Sequence, residues 1–275
     1  MASRIAAPGR IAPGRIVLTP TRRDPALTQQ FPFISDGVSR TVPFGYGDPL
    51  ADQIVSAIAL GSISVGERLP SESELARHFG VAVATLRKSL AVLRANGIVE
   101  TRRGRGGGTF IVKVPFPSDE QIRTYLSRLT IVQIRDYGDE HTAVSTGIAR
   151  LACQRAHDQA VEQLRHAADR LARAESPAES ASADSRFHLQ VAITSQSPRL
   201  LRTEMRLQSE ILSLKWSRAG AAVASEDVHH DHLTIIDAIA AGDAERAEQA
   251  TENHIKSTVY RLIDVKLTLE TIGAD

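Results

Sequence analysis

The chain of 275 residues lacks the features that mark several classes of protein. Its single cysteine, Cys153, cannot form a disulfide within the chain, and we expect it to be a small buried side chain. No apolar run reaches the roughly 20 residues that a membrane helix needs, and the N-terminal segment lacks the apolar centre of a secretory signal. These absences predict a cytoplasmic protein that has no membrane partner.

Aromatic residues and net charge are also scarce. Aromatic residues make up 4% of the chain, so its core must be built mainly from Leu, Ile, Val and Ala. The net charge is +1, but residues 1–114 hold 15 Lys and Arg against 8 Asp and Glu, whereas residues 115–275 hold 18 against 24. A basic part joined to an acidic part is what we expect of a DNA-binding domain fused to a regulatory domain.

The N-terminal residues divide into two unlike segments. Prolines and glycines interrupt residues 1–47 so often that we expect a disordered arm. From Asp48, apolar residues at near-helical spacing predict a first helix that stops at Gly61. A second helix begins at the capping box Ser71-Glu72-Ser73-Glu74, in which Ser71 and Glu74 can each bond the backbone N–H of the other.

A third helix follows a short turn. Gly80 supplies the turn after the second helix, and Leu86, Leu90 and Leu93 form one apolar stripe that ends before Gly97. Two β-prone runs, 98–101 and 109–114, then flank a tip rich in arginine and glycine. Helix, tight turn, helix and basic hairpin together predict a winged helix-turn-helix DNA-binding domain over residues 48–114.

The rest of the chain is predicted to be helical. Residues 115–118 contain two prolines and are predicted to be a linker. Residues 119–270 divide into Ala- and Leu-rich helical segments separated by breaks such as Ser176-Pro177 and Gly242-Asp243. We therefore predict a mainly α fold, in which an all-α antiparallel bundle of six or seven helices follows the winged domain.

Several motifs resemble a known family. Glu67-Arg68-Leu69-Pro70-Ser71-Glu72-Ser73-Glu74-Leu75-Ala76, Leu86-Arg87, Gly97-Ile98-Val99 and residues 103–110 resemble the signature of GntR-type regulators. The C-terminal helices are similar to the FCD ligand-binding domain of the FadR subfamily. The resemblance implies a homodimeric repressor on a palindromic operator in double-stranded DNA, with the third helix in the major groove and the wing in the minor groove.

The same resemblance assigns DNA contacts to residues of the helices and the wing. They are Arg68, Ser71, Thr85, Arg87, Lys88, Arg103, Arg105 and Gly106. The start of the third helix departs from the family pattern, because Ala82 and Val83 stand where Ser or Thr and then Arg are usual. Ala82 cannot cap the helix and Val83 cannot form a bidentate base contact, so the operator sequence of relatives does not transfer to this chain.

Four residues form a candidate metal site. Asp184 and His188 are four residues apart on one helix and share a face, whereas His232 and His254 lie on two later helices. From spacing alone, the alternative remains open that the three histidines are ordinary side chains on helix surfaces. The resemblance to metal-binding FCD domains favours a divalent transition metal, with zinc as the first choice and nickel or manganese as alternatives.

The expected effector is a small organic acid, because a metal offers a positive centre to a carboxylate. Arg135 matches a family arginine that often faces the effector cavity, although an ion pair between Arg135 and Asp139 is an equally good interpretation. His229 and His230 could compete for the metal but are expected to face solvent.

Two functions from other classes remain as alternatives. A metal-dependent hydrolase could use the Asp/His site to activate water, but no general base stands out beside it. A protein that coats DNA without sequence preference would need a basic surface throughout, which the acidic C-terminal part does not offer.

Overall fold

The computed structural model describes residues 46–272, so all but the last two residues of the predicted arm, 1–47, lie outside the described part. Within it there are ten α-helices and one two-stranded sheet. The helices are α1 (Pro49–Ala59), α2 (Glu72–Phe79), α3 (Val83–Ala95), α4 (Asp119–Arg128), α5 (Ile131–Arg155), α6 (Asp158–Ala172), α7 (Pro177–Thr194), α8 (Pro198–Trp216), α9 (Ser225–Ala240) and α10 (Ala244–Ile272). The strands are β1 (Val99–Arg102) and β2 (Gly108–Ile111). The predicted fold class is confirmed.

Helices α1, α2 and α3 enclose the N-terminal core with the sheet. Asp48 caps α1, because its Oδ1 accepts hydrogen bonds from the backbone N–H groups of Leu50 (3.0 Å) and Ala51 (2.9 Å). The same carboxylate accepts from the Ser89 hydroxyl at 2.9 Å. One N-cap thus ties the start of α1 to the middle of α3.

The predicted capping box at α2 is present. Ser71 Oγ accepts from the Glu74 backbone N–H at 3.3 Å, and Glu74 Oε2 accepts from the Ser71 N–H at 2.8 Å. Gly80 adopts φ +68° where α2 turns towards α3, a conformation that favours glycine. Ala82 makes no side-chain cap on α3, as its sequence predicts.

The first strand is offset by one residue from the predicted 98–101, and the second strand is shorter than the predicted 109–114. They pair antiparallel, with Val99 opposite Ile111 and Arg102 opposite Gly108. The sequence placed the second strand over 109–114, but regular pairing ends at Ile111 and the chain then runs to Pro115, which has no N–H to donate. A bridge between Arg68 and Phe110 adds a third segment to the sheet.

The C-terminal domain is a bundle of the seven helices α4 to α10. The long helices α5 and α10 lie against each other, and Gly138 permits this because an added Cβ would come within 2.8 Å of a Val259 methyl group. Helix α7 packs between α6 and α8. Within residues 46–272, no helix combines the length and the apolarity that a membrane span requires.

The segment predicted as a linker packs against the bundle. Pro115 and Pro117 are buried, and Phe116 packs with apolar residues around α4, α8 and α10. The two domains also touch through the loop after α1. Arg186 on α7 donates to the Gly61 carbonyl at 2.6 Å, and an added Cβ at Gly61, which has φ +71°, would lie 2.7 Å from the Ser182 carbonyl oxygen.

Candidate functional site

The outer face of α3 forms one candidate site, for DNA. Leu86, Leu90 and Leu93 face the core, which leaves Arg87 and Lys88 exposed on the opposite side of the helix. The Arg87 Nε lies 2.6 Å from Glu72 Oε2 on α2. This ion pair fixes the root of the guanidinium at the helix surface while its outer N–H groups remain accessible.

The wing arginines differ in their surroundings. Arg102 contacts Glu100 (Nε to Oε1, 2.6 Å) and lies over the Phe110 ring, 4.3 Å from its centroid. Arg103 and Arg105 are exposed and form no ion pair with any described residue. The tip therefore leaves the two predicted arginines free. All eight residues that are predicted to contact DNA are exposed: Arg68, Ser71, Thr85, Arg87, Lys88, Arg103, Arg105 and Gly106.

The four predicted metal ligands meet inside the C-terminal domain. Asp184 and His188 come from α7, His232 from α9 and His254 from α10, and all four are buried. One ligand atom from each lies within 4.8 Å of the other three. Residues up to 70 positions apart in the chain thus converge on one point as a possible metal site.

The separations between these atoms suit a coordinated ion. His188 Nε2 lies 3.2 Å from His254 Nε2, and His232 Nε2 lies 3.2 Å from Asp184 Oδ1. Donors that bind zinc at about 2.0–2.2 Å stand roughly 3–3.5 Å apart around it. The distances and the nitrogen and oxygen donors therefore fit a small divalent cation.

His232 supplies an independent test of the fit. It is fully buried; its Nδ1 has no hydrogen-bond partner among the described residues, and its Nε2 contacts Asp184 Oδ1 of the same cluster. Its ring stacks on Phe187, with centroids 3.7 Å apart and planes inclined by 18°. Burial lowers the pKa of His232 to about 3. A neutral, buried imidazole without a hydrogen bond outside the cluster is a suitable metal ligand and an expensive group to leave unpaired.

A carboxylate outside the cluster orients His254. Asp231 Oδ2 lies 3.0 Å from His254 Nδ1, which leaves Nε2 to face the other ligands. Metal-binding histidines commonly donate their second ring N–H to a carboxylate in this manner. Burial lowers the pKa of His254 well below its usual value, and the nearby Lys215 lowers it further.

Sequence reasoning missed two residues of α8 that touch this cluster. Lys215 Nζ lies 3.0 Å from Asp184 Oδ1 and 3.3 Å from His254 Nε2, and Trp216 Nε1 donates to Asp184 Oδ2 at 3.2 Å. Burial favours a raised pKa for Asp184, but Lys215 and the neighbouring histidines hold it well below its usual value. Asp184 is therefore ionised and paired.

A second buried carboxylate lies on the other side of His188. Glu204 accepts from Ser145 Oγ at 2.7 Å and Gln208 Nε2 at 2.8 Å, and its Oε1 is 3.3 Å from His141 Nε2. Burial acts to raise the pKa of Glu204, but His141 and these hydrogen bonds lower it to about 2. The C-terminal core thus contains two ionised carboxylates around His188.

A cavity of about 10 Å³ adjoins the cluster. That is about the room that one water molecule needs. Three of the predicted ligands line it together with other polar and apolar side chains. The lining residues are His141, Asp184, His188, Gln208, Ile211, Lys215, His254, Ile255 and Thr258.

Other predicted residues lie away from this cavity. Arg135 and Asp139 are exposed on α5 and line no cavity beside the cluster. His230 is exposed and His229 is partly exposed near Asp169, so neither joins the four ligands. Cys153 is half-buried among apolar side chains, and burial raises the pKa of its thiol, so the structure gives no sign of a nucleophile there.

Comparison with known proteins gives a consistent result for both domains. Residues 48–111 match the family described as bacterial regulatory proteins, gntR family, and residues 141–257 match the FCD domain. Together the two matches contain all the predicted metal ligands and all the predicted DNA contacts.

Three curated relatives cover most of the chain. The "Putative HTH-type transcriptional regulator RmpR" of Mycobacterium gastri is 45% identical, over 81% of this chain and 82% of its own length. The "Uxu operon regulator" of Haemophilus influenzae is 27% identical, over 76% and 78%. The "Putative L-lactate dehydrogenase operon regulatory protein" of Escherichia coli is 31% identical, over 78% and 85%.

Proposed function

Because the chain belongs to the GntR family of bacterial regulatory proteins and carries an FCD domain, we propose that it is a ligand-responsive repressor of the FadR subfamily. Family membership makes it a DNA-binding transcriptional regulator and not an enzyme, so the hydrolase alternative is set aside. Repression, the subfamily and the ligand response are our proposal. A regulator of chromosomal genes acts in the cytoplasm, where we place it.

The proposed DNA complex is a homodimer on a palindromic operator. Two-fold symmetry lets the two recognition helices enter two successive turns of the major groove on one face of the DNA. Arg87 and Lys88 on α3 face the groove in this arrangement, and Arg103 and Arg105 reach the neighbouring minor groove from the wing. Arg68 is exposed beside the wing and fits a phosphate contact.

One observation carries the proposal for the C-terminal domain: four buried donor side chains from three helices converge, and one of them, His232, is otherwise unpartnered. Zinc is the first choice for one carboxylate and three imidazoles, with nickel and manganese as alternatives. When bound, the ion supplies a positive centre that can hold a carboxylate oxygen.

The proposed effector is a small organic acid that binds in the cavity beside the cluster. Lys215 and Gln208 line this cavity and can donate hydrogen bonds to a carboxylate, whereas the exposed Arg135 stands outside it. The E. coli relative is named for an L-lactate dehydrogenase operon, and lactate belongs to this chemical class. The cavity is smaller than such an acid, so binding must move the surrounding side chains.

Metal content tests the proposed site. We expect purified wild type to contain close to one zinc, nickel or manganese per chain by mass spectrometry. His232→Asn removes one donor and should lose the metal, whereas His230→Asn changes an exposed histidine of the same helix and should keep it. A folded wild type without metal that still binds its own promoter DNA would remove the metal from the proposal and leave the regulator.

DNA binding distinguishes a specific repressor from a protein that coats DNA. Binding to the intergenic DNA beside its own gene should exceed binding to random DNA by at least a thousandfold at physiological salt. Equal affinity for both, falling steeply with salt, would favour the coating alternative.

A further inference from the structure

Lys215 lies beside the four proposed metal ligands, although a positively charged side chain does not help to bind a metal cation. Its side chain lies near the end of α8 and is 4% exposed, and its Nζ lies 3.0 Å from both Asp184 Oδ2 and Asp184 Oδ1. Its other neighbour is a proposed ligand atom, His254 Nε2. The ammonium group therefore contacts two of the four proposed ligands.

Lys215 is already the counter-charge of Asp184 without a metal. Both carboxylate oxygens of Asp184 lie 3.0 Å from the buried ammonium group. A divalent cation bound to Asp184 would place two more positive charges beside this ammonium group. Like charges repel strongly in a buried site of low dielectric constant.

Glu204 is a second buried carboxylate beside the cluster, but its hydrogen bonds are made elsewhere. It is 1% exposed, its Oε1 lies 3.9 Å from His188 Nδ1, and it accepts hydrogen bonds from Ser145 and Gln208. A carboxylate ligand beside Lys215 would supply a further counter-charge to the cation and the ammonium group.

The cavity brings that carboxylate to the same side chains. Lys215 and Gln208 line it beside Asp184 and His254, so an anionic oxygen there meets the ammonium group directly. An anion that accepts from Lys215 also draws the ammonium away from Asp184. This frees the carboxylate oxygens for a cation.

We infer that Lys215 makes metal binding and carboxylate binding depend on each other, so that the domain holds its metal tightly only together with an anionic ligand. This inference rests on the proposed function. The coupling is reciprocal, because whatever raises the affinity for one ligand in the presence of the other must act equally in both directions.

Zinc affinity of the full-length protein tests the inference. Kd is measured by competition with a chromophoric chelator, in chloride and in acetate of equal ionic strength. Lys215→Met keeps most of the length and volume of the side chain but removes its charge. We expect it to bind zinc at least tenfold more tightly than wild type in chloride. Lys256→Met, at an exposed lysine that pairs with Glu252 away from the cluster, should match wild type.

Acetate supplies the second readout. We expect it to tighten zinc binding by wild type at least fivefold and to leave Lys215→Met nearly unchanged. Equal zinc affinity of wild type and Lys215→Met in chloride overturns the inference and leaves the metal site standing. If Lys215→Met does not fold, wild type decides alone, and equal affinity in the two salts overturns it. A wild type that binds no zinc, nickel or manganese instead contradicts the proposed metal site on which the inference rests.

Discussion

Side chains on the DNA-facing surface differ in how firmly the protein holds them. Arg87 is anchored through Nε to Glu72, whereas Arg103 and Arg105 extend from a glycine-rich tip without an ion pair among residues 46–272. An anchored guanidinium loses less conformational entropy when it binds, which suits base recognition. The unanchored wing arginines suit contacts to phosphates and to the minor groove.

Arg87→Ala tests the base-reading role. We expect its affinity for the operator to fall by about 1–3 kcal/mol, with less effect on random DNA, because a lost base contact weakens specific binding most. Arg150→Ala removes an equal charge from an exposed site on α5 and serves as the control in the same fluorescence anisotropy titration. A uniform loss on both DNAs would make Arg87 a phosphate contact.

Buried titratable groups predict how the metal-free protein responds to acid. The folded pKa of His232 is about 3, below the unfolded value of 6.5, so the unfolded chain binds a proton that the folded chain does not. Stability is therefore greatest above pH 6.5 and falls as the pH decreases towards 3. Glu204, with a folded pKa of about 2, adds to the loss below about pH 4.5.

Urea unfolding in the presence of chelator measures this effect. We expect the free energy of unfolding to fall by about 1–2 kcal/mol between pH 7.5 and pH 5.5, because each pH unit below the unfolded pKa costs up to about 1.4 kcal/mol per group. His232→Gln should flatten the profile, and His166→Gln, at an exposed histidine, should not. A wild-type profile without slope over this range would contradict the burial argument.

The sequence predicted the histidines of the site better than its other residues. The spacing of Asp184 and His188 placed them on one helix face, His232 and His254 stood out on two later helices, and the resemblance favoured all four as metal ligands. Lys215 could not be found in this way, because lysines are almost always exposed and nothing local marks one that is buried. Its burial follows from the packing of α8 against α7, a contact between separate helices.

Helix ends were predictable where a capping residue marks them. Ser71 begins α2 as its capping box predicts. Helix α7 starts at Pro177, at the predicted break Ser176-Pro177, because Ser176 caps it and proline suits the first helical position. The ends of the wing strands were less predictable, because β2 ends where the chain leaves the sheet and Pro115 and Phe116 pack against the bundle.

Helix α7 connects the two domains. Asp184 and His188 point into the metal cluster, while Arg186 between them reaches the Gly61 carbonyl in the loop after α1. Trp216 adds a second link, because it donates to Asp184 and packs in one apolar cluster with Ala59. We therefore expect a shift of α7 at the cluster to displace the loop after α1 at the base of the winged domain.

Arg186→Met tests this connection. Loss of the hydrogen bond to Gly61 should leave the zinc Kd within threefold of the wild-type value. The change that zinc causes in the logarithm of the operator affinity should fall to half of the wild-type change or less. Arg173→Met, at an exposed arginine at the end of α6, is the matched control. An undiminished zinc effect in Arg186→Met would show that coupling takes another route.

In residues 46–272, the proposed DNA-binding surface and the proposed ligand site belong to domains that pack against each other. The segment 115–118 is packed against the bundle, and the loop after α1 is hydrogen-bonded to α7. Ligand binding can alter operator affinity only if the ligand binds the two arrangements of the domains differently. The close contact between domains makes such a difference physically reasonable, because the cluster and the contact share one helix.

Operator binding under defined metal and ligand conditions tests the central claim most directly. The affinity for the promoter fragment is measured with chelator, with zinc, and with zinc plus each member of a panel of small carboxylates, for wild type, Asp184→Asn and His230→Asn. The account predicts that at least one condition changes the affinity of wild type and His230→Asn fivefold or more, and that Asp184→Asn does not respond. Specific binding that is the same for all three proteins under every condition would contradict it.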